Sequence, residues 1–263
     1  MDVALSRQDV ELDYFAKEGS IVREIWGKSD TILVIFAGAA AEFALSKAVD
    51  WLYFTGRLPS DPLGRLFSTV EYAKRIVFST ESEAFKAIES INLIHQGLEK
   101  KRGFNIPDWA YRDVLFMLID YSIRAYELLE RPLKWEERQE VFKVFYKLGA
   151  GLNIPDIPTT FEDWQLARVE HMNRNLSNSH FTKDLFQQYK KHLGSFRYYI
   201  LLELQAFVVP EQVKKLMGLR KTLIIRPLVS VYKISRIFYL DQMMKNLLMP
   251  AKYRQQIKGL DHH

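Results

Sequence analysis

Apolar side chains recur at helical spacing along almost the whole chain, and no long run alternates between apolar and polar residues as a half-buried strand would. The pattern therefore predicts an all-α fold, in the form of a single-domain helical bundle. The expected helices span residues 61–79, 80–101, 107–130, 135–149, 161–175, 180–206, 210–217 and 226–248.

Three helix starts carry clear capping signals. Asp61 stands directly before Pro62, which suits an N-cap followed by a proline at the first helical position, where its missing N–H costs nothing. Thr80, with Glu83 three residues later, predicts a capping box. The proline-rich segment "LNIPDIPTT" (152–160) predicts a turn between two helices, with Thr160 as the next N-cap.

The most apolar run, "TILVIFAGAAAEFAL" (31–45), contains Glu42. It is shorter than the roughly 18 to 20 apolar residues that a membrane span requires. We therefore expect a buried core helix here.

The chain has 263 residues, a length that predicts one domain over 1–263. Its 17 phenylalanines, 13 tyrosines and 5 tryptophans provide large side chains to fill a core or to line a cavity.

The absence of cysteine excludes disulfides, thiolate nucleophiles, cysteine metal sites and covalently attached haem. The N-terminus lacks the basic and apolar regions of a signal peptide, so we expect a cytoplasmic protein.

Positive charge concentrates near the C-terminus. Residues 220–258 contain nine lysines and arginines against the single acid Asp241, while the whole chain carries a net charge of only +5. The segment also carries apolar residues, which indicates amphipathic helices. Three explanations stay open: a solvated rim on a docked helix, peripheral contact with an anionic membrane surface, or nucleic-acid binding. No nucleic-acid motif supports the third, so we expect no nucleic-acid partner.

Among the six histidines, His95 alone lies within a strongly apolar helical stripe, formed with Ile88, Ile91 and Leu98. Its imidazole is therefore expected to point into the core, either as a hydrogen-bonded core histidine or as a ligand to a metal or haem. His262 and His263 belong to the chain end and are interpreted as a tail. No Glu-x-x-His pair, His-Glu-x-x-His sequence, glycine-rich phosphate loop or Gly-x-Ser-x-Gly elbow is present.

Four sequences occur in an order typical of one family: "SDPLGRLFSTVEYAKRIVFST" (60–80), "AFKAIESINLIHQGL" (84–98), "LIDYSIRAYELLERPLKWEERQEVF" (118–142) and "LGAGLNIPDIPTTFEDW" (148–164). From about Ser20 to about Arg168 the chain resembles the rubber oxygenases, or latex-clearing proteins, and the fungal mpaB oxygenases. Beyond residue 170 the likeness is loose.

The resemblance implies an all-α fold around haem b, with His95 as the proximal iron ligand. It also implies an oxygenase that takes O2 and a small apolar, unsaturated substrate of isoprenoid or lipid-like type. The rubber-cleaving members carry Arg-x-x-Lys-Thr on the distal side, where this chain has Arg65, Ser68 and Thr69. Because serine is too short to cap the iron as lysine can, an open or water-held sixth position is expected.

Arg65 and Thr69 are four residues apart and share a helical face, where they could donate hydrogen bonds to bound oxygen. Their structural alternatives are an ion pair to a nearby acid for Arg65 and a hydrogen bond from Thr69 to its own helix. The resemblance favours the first interpretation, in which Arg65 and Thr69 are catalytic and Arg65 and Ser68 lie beside the cofactor.

Departures from the family pattern concern other polar positions. A His-Pro pair of many members aligns with Glu42-Phe43, and the histidine and threonine of a "WVHATL" sequence align with Leu115 and Met117. The arginine of an Arg-x-x-His pattern becomes Asn92. These losses keep an alternative function open, namely a non-catalytic haem- or lipid-binding protein of the same fold.

Overall fold

The computed structural model describes residues 13–54, 60–219, 230–233 and 236. Within these ranges the elements are helices and no strand is formed, which confirms the all-α prediction. The helices are α1 (Ile21–Trp26), α2 (Ser29–Leu45), α3 (Asp50–Phe54), α4 (Pro62–Phe78), α5 (Glu81–Arg102), α6 (Asp108–Leu129), α7 (Trp135–Gly151), α8 (Phe161–Asn175), α9 (His180–Val208) and α10 (Glu211–Met217).

Helix boundaries agree closely with the sequence where strong caps occur. Asp61 accepts a hydrogen bond from the Gly64 amide at 3.1 Å, as an N-cap should. The amide and the hydroxyl of Thr80 both donate to the Glu83 carboxylate, which confirms the capping box. The predicted helix 226–248 lies mostly outside the described residues, although 230–233 are helical.

Helix α2 is the centre of the bundle. It packs against α1, α6, α9 and α10, and its closest association is with α6. The expectation of a buried core helix at 31–45 is confirmed, because most of the side chains of α2 are buried, Glu42 among them. No helix in the described ranges has the length and apolar character needed to cross a membrane.

Gly38 allows α2 and α6 to approach closely. A methyl group at this position would collide with the Tyr121 ring and lie 3.1 Å from the Val208 side chain. Gly38→Ala is therefore expected to lower the free energy of unfolding by about 1–3 kcal/mol, since core overpacking forces side chains and backbone to shift.

The matched control is Gly97→Ala on α5. Gly97 is exposed, and no atom lies within 4 Å of the position that its Cβ would take. This change should stabilise the protein by about 0.5–1 kcal/mol, because alanine loses less backbone entropy than glycine in a helix. Urea unfolding of both variants provides the measurement, and equal effects would contradict the close approach at Gly38.

Candidate functional site

His95 lies at the edge of a pocket of ≈ 240 Å³. The walls come from the second half of α5, the loop into α6, the first turns of α6 and the segment 152–155 that follows α7. The lining is largely polar and includes Asn92, Gln96, Glu99, Asn105, Asp108 and Asn153. The apolar remainder is Ile106, Leu152, Ile154 and Pro155.

The helical stripe that carries His95 runs between two apolar clusters. One turn earlier, Ile91 packs against the main core, and Leu98 packs against a small cluster centred on Trp51 and Ala110. His95 between them is half-buried, and its ring centroid lies 5.1 Å from that of Tyr111. The imidazole therefore faces a pocket at the border of the core, whereas the sequence placed it inside the core.

Tyr111 is held in place beside His95 by a carboxylate. Its hydroxyl donates to Glu99 Oε1 at 3.1 Å, and the Ile106 amide donates to the same oxygen at 2.8 Å. Burial raises the pKa of Tyr111 and the charge of Glu99 raises it further, so the phenol stays protonated. Glu99 thereby fixes the junction between α5 and α6 and the aromatic wall of the pocket.

The α4 residues proposed for the distal side are only partly described. Helix α4 packs against α5 and buries Leu63, Phe67 and Val70. The side chains of Arg65 and Ser68 lie outside the described residues. Thr69 is exposed and does not line the pocket at His95.

A buried charge cluster joins α2, α6 and α8. Arg168 pairs with both Glu42 and Asp120, its Nη2 lying 2.6 Å from Glu42 Oε2 and 3.1 Å from Asp120 Oδ2. Tyr121 donates to the Glu42 carboxylate at 2.8 Å, and Arg124 donates to Asp120 at 2.7 Å. Glu42 and Arg168 have side-chain exposures of 1% and 4%, so water contributes little to their solvation.

The positive charge of Arg168 is compensated by the negative charges of Glu42 and Asp120. Burial alone disfavours the charged guanidinium, but the charges of Glu42 and Asp120 outweigh it and raise the pKa of Arg168. Burial and the charge of Glu42 raise the pKa of Tyr121, which stays a hydrogen-bond donor. Because the buried charges and hydrogen-bonding groups pair with one another, the cluster connects α2, α6 and α8.

A second polar cluster joins two of these three helices, α6 and α8. His171 Nδ1 contacts the Asp113 carboxylate, and Asn175 donates to Asp113 Oδ2 at 3.1 Å. These residues and Arg168 were not among the site residues predicted from the sequence. The spacing of these residues could have indicated polar contacts between the two helices. Arg168, His171 and Asn175 share one face of α8. Asp113 and Asp120 are seven residues apart and share one face of α6.

Residues 26–233 match the family model described as "ER-bound oxygenase mpaB/B'/Rubber oxygenase, catalytic domain". The chain belongs to the mpaB/rubber oxygenase family. The match continues well past Arg168, so the resemblance extends further along the chain than the motifs alone indicated. No curated protein and no solved structure was found to match the chain.

Three positions at which the sequence was expected to depart from the family pattern, Glu42, Leu115 and Met117, lie away from the pocket at His95. Glu42, aligned with the histidine of the His-Pro pair, does not line the pocket at His95 and takes part in the buried charge cluster. Leu115 and Met117, aligned with the polar residues of the other motif, are buried in the main core. In this member of the mpaB/rubber oxygenase family these positions therefore serve helix packing.

The likeness to the rubber oxygenases implies haem. Among the residues around the pocket, His95 meets a requirement of that cofactor as a possible iron ligand, whereas the pocket as a whole does not. A half-buried histidine that lines a pocket is a residue that could hold haem iron. The pocket itself does not fit a porphyrin, because ≈ 240 Å³ lies below the roughly 300–1,000 Å³ of small-molecule and cofactor sites, and those sites are mostly apolar. Among the described residues no group of three or more His, Asp or Glu side chains could hold a metal ion, a finding that concerns sites built from side chains alone and not haem.

Proposed function

We propose that the protein is a haem b-dependent oxygenase that acts on a small apolar, unsaturated substrate of isoprenoid or lipid-like type. Membership of the mpaB/rubber oxygenase family supports oxygenase activity. The observation that carries the cofactor assignment is His95, which keeps the motif position of the ligand and opens onto a pocket. A cytoplasmic location and O2 as co-substrate are parts of the same proposal.

In this proposal His95 would hold the haem iron, and the pocket would have to widen to admit the porphyrin. The walls that would have to separate are the Tyr111 ring on α6 and the segment 152–155 after α7. Arg65 and Thr69 on α4 would supply positive charge and hydrogen bonds to bound oxygen, and Ser68 would lie beside the cofactor. These distal roles rest on the family motif and on the shared helical face of Arg65 and Thr69.

A second candidate is a non-catalytic haem- or lipid-binding protein. One observation favours it: Thr69, which the oxygenase proposal makes catalytic, is exposed and does not line the pocket at His95. Such a protein would keep the helical bundle and consume no oxygen.

Oxygen uptake separates the two candidates. The purified protein is incubated with haem, reduced, and supplied with an unsaturated isoprenoid chain or with the saturated chain of equal length. The proposal predicts a Soret absorption band and oxygen uptake with the unsaturated chain alone. A protein that takes up no haem, or a haem-loaded protein whose oxygen uptake ignores the double bonds, would overturn the oxygenase assignment.

A further inference from the structure

Helix α9 bends at Gly194 and exposes two aromatic rings directly after the bend. Gly194 has φ of +76°, a conformation that glycine adopts readily, and no atom lies within 4 Å of the position a Cβ would take. Phe196 and Tyr199 follow at helical spacing with exposures of 63% and 47%. We call the segment 190–199 the kink surface.

The kink surface is also basic. Lys190, Lys191 and Arg197 carry positive charge, and no aspartate or glutamate occurs between Asp184 and Glu203. Both lysines are exposed. Exposed aromatic rings and cations therefore share ten residues of the chain at an open bend.

Another exposed apolar pair on the same molecule has the opposite surroundings. On α8, Leu166 and Val169 are 73% and 54% exposed. Their neighbours along the helix include the exposed acids Glu162, Asp163 and Glu170. Exposed apolar side chains therefore occur on both α8 and α9. The kink surface differs from the α8 pair because positive charges, not acids, lie beside its exposed rings.

We infer that the kink surface docks onto an anionic phospholipid membrane. Lysine and arginine near a surface gain attraction from anionic headgroups. Aromatic side chains favour the boundary between headgroups and acyl chains, and tyrosine suits it because one end of its ring is polar.

Vesicle binding of the full chain tests this inference. We expect binding to vesicles of phosphatidylcholine with phosphatidylglycerol, weak binding to phosphatidylcholine alone, and loss of binding in high salt. Lys190→Gln/Lys191→Gln should weaken partitioning about 25-fold, from about 5-fold for each cation removed. Phe196→Ser/Tyr199→Ser should weaken it by at least about 10-fold, because two apolar rings are lost from the contact.

Two matched variants test the location. Leu166→Ser/Val169→Ser removes an equally exposed apolar pair and should leave binding unchanged. Lys252→Gln/Arg254→Gln/Lys258→Gln removes charge from the basic C-terminal segment. If this last variant abolishes binding while the kink-surface variants bind normally, the inference is overturned.

The lack of cysteine in the chain permits a direct readout of contact. Phe196→Cys and Leu166→Cys each create a single labelling site for an environment-sensitive fluorophore. The label at 196 should shift to the blue on anionic vesicles, and the label at 166 should not. Equal shifts at both sites, or a concentration-dependent dimer that Phe196→Ser/Tyr199→Ser abolishes in the absence of lipid, would contradict membrane docking.

Discussion

Replacing Arg168 with methionine is expected to lower the free energy of unfolding by about 3–5 kcal/mol, because two buried carboxylates lose their shared partner. Arg168 contacts both Glu42 and Asp120, and the Tyr121 hydroxyl donates to Glu42. Methionine fills much of the same space, so the loss arises mainly from uncompensated charge. Urea unfolding followed by circular dichroism provides the measurement.

Arg124→Met serves as the matched control. Arg124 also pairs with Asp120, but its side chain is 39% exposed, and exposed ion pairs contribute about 0–1 kcal/mol. The triple variant Glu42→Gln/Asp120→Asn/Arg168→Met should recover most of the lost stability, since it removes the charges together. If Arg168→Met cost no more than Arg124→Met, the cluster would not act as a buried unit.

His95→Gly is expected to abolish the Soret band of the haem-loaded protein, because it removes the proposed iron ligand. Added imidazole should restore the band by entering the space that the side chain leaves. Because imidazole also ligates free haem, the band is read after desalting, so its return reports haem held by the folded chain and distinguishes loss of ligation from loss of folding. The experiment is a titration of haem followed by absorption, with and without imidazole.

His192→Gly provides the control for a histidine as such. His192 lies on α9, is half-buried like His95, and does not line the pocket. Its variant should bind haem like the unaltered chain. Retention of a normal Soret band in His95→Gly without imidazole would transfer ligation to another residue and remove the support for His95.

Local signals explain why most helices could be predicted from the sequence. The caps at Asp61 and Thr80 mark helix starts independently of the rest of the molecule. The short helices α1 and α3 escaped prediction, because six and five residues show too little periodicity. Tertiary burial supports α1 instead, since Ile25 and Trp26 are fully buried.

The candidate site likewise contains one part that could be predicted from the sequence and others that could not. His95 could be recognised from its stripe and its motif, which are local in sequence. The polar pocket could not, because the segment 152–155 reaches it only through the packing of α7. The buried cluster also escaped prediction, since Glu42 and Arg168 are 126 residues apart and neither helix alone shows that they meet.

The pairing of Glu42 with Arg168 also restricts how this sequence can change. Replacing Glu42 with histidine on its own would place an imidazole against a buried guanidinium that keeps Asp120 as its acidic partner among the described residues. Losing Arg168 first would leave two carboxylates together in the core. Each single replacement is therefore expected to destabilise the fold, so Glu42 and Arg168 restrict each other's identity across α2 and α8.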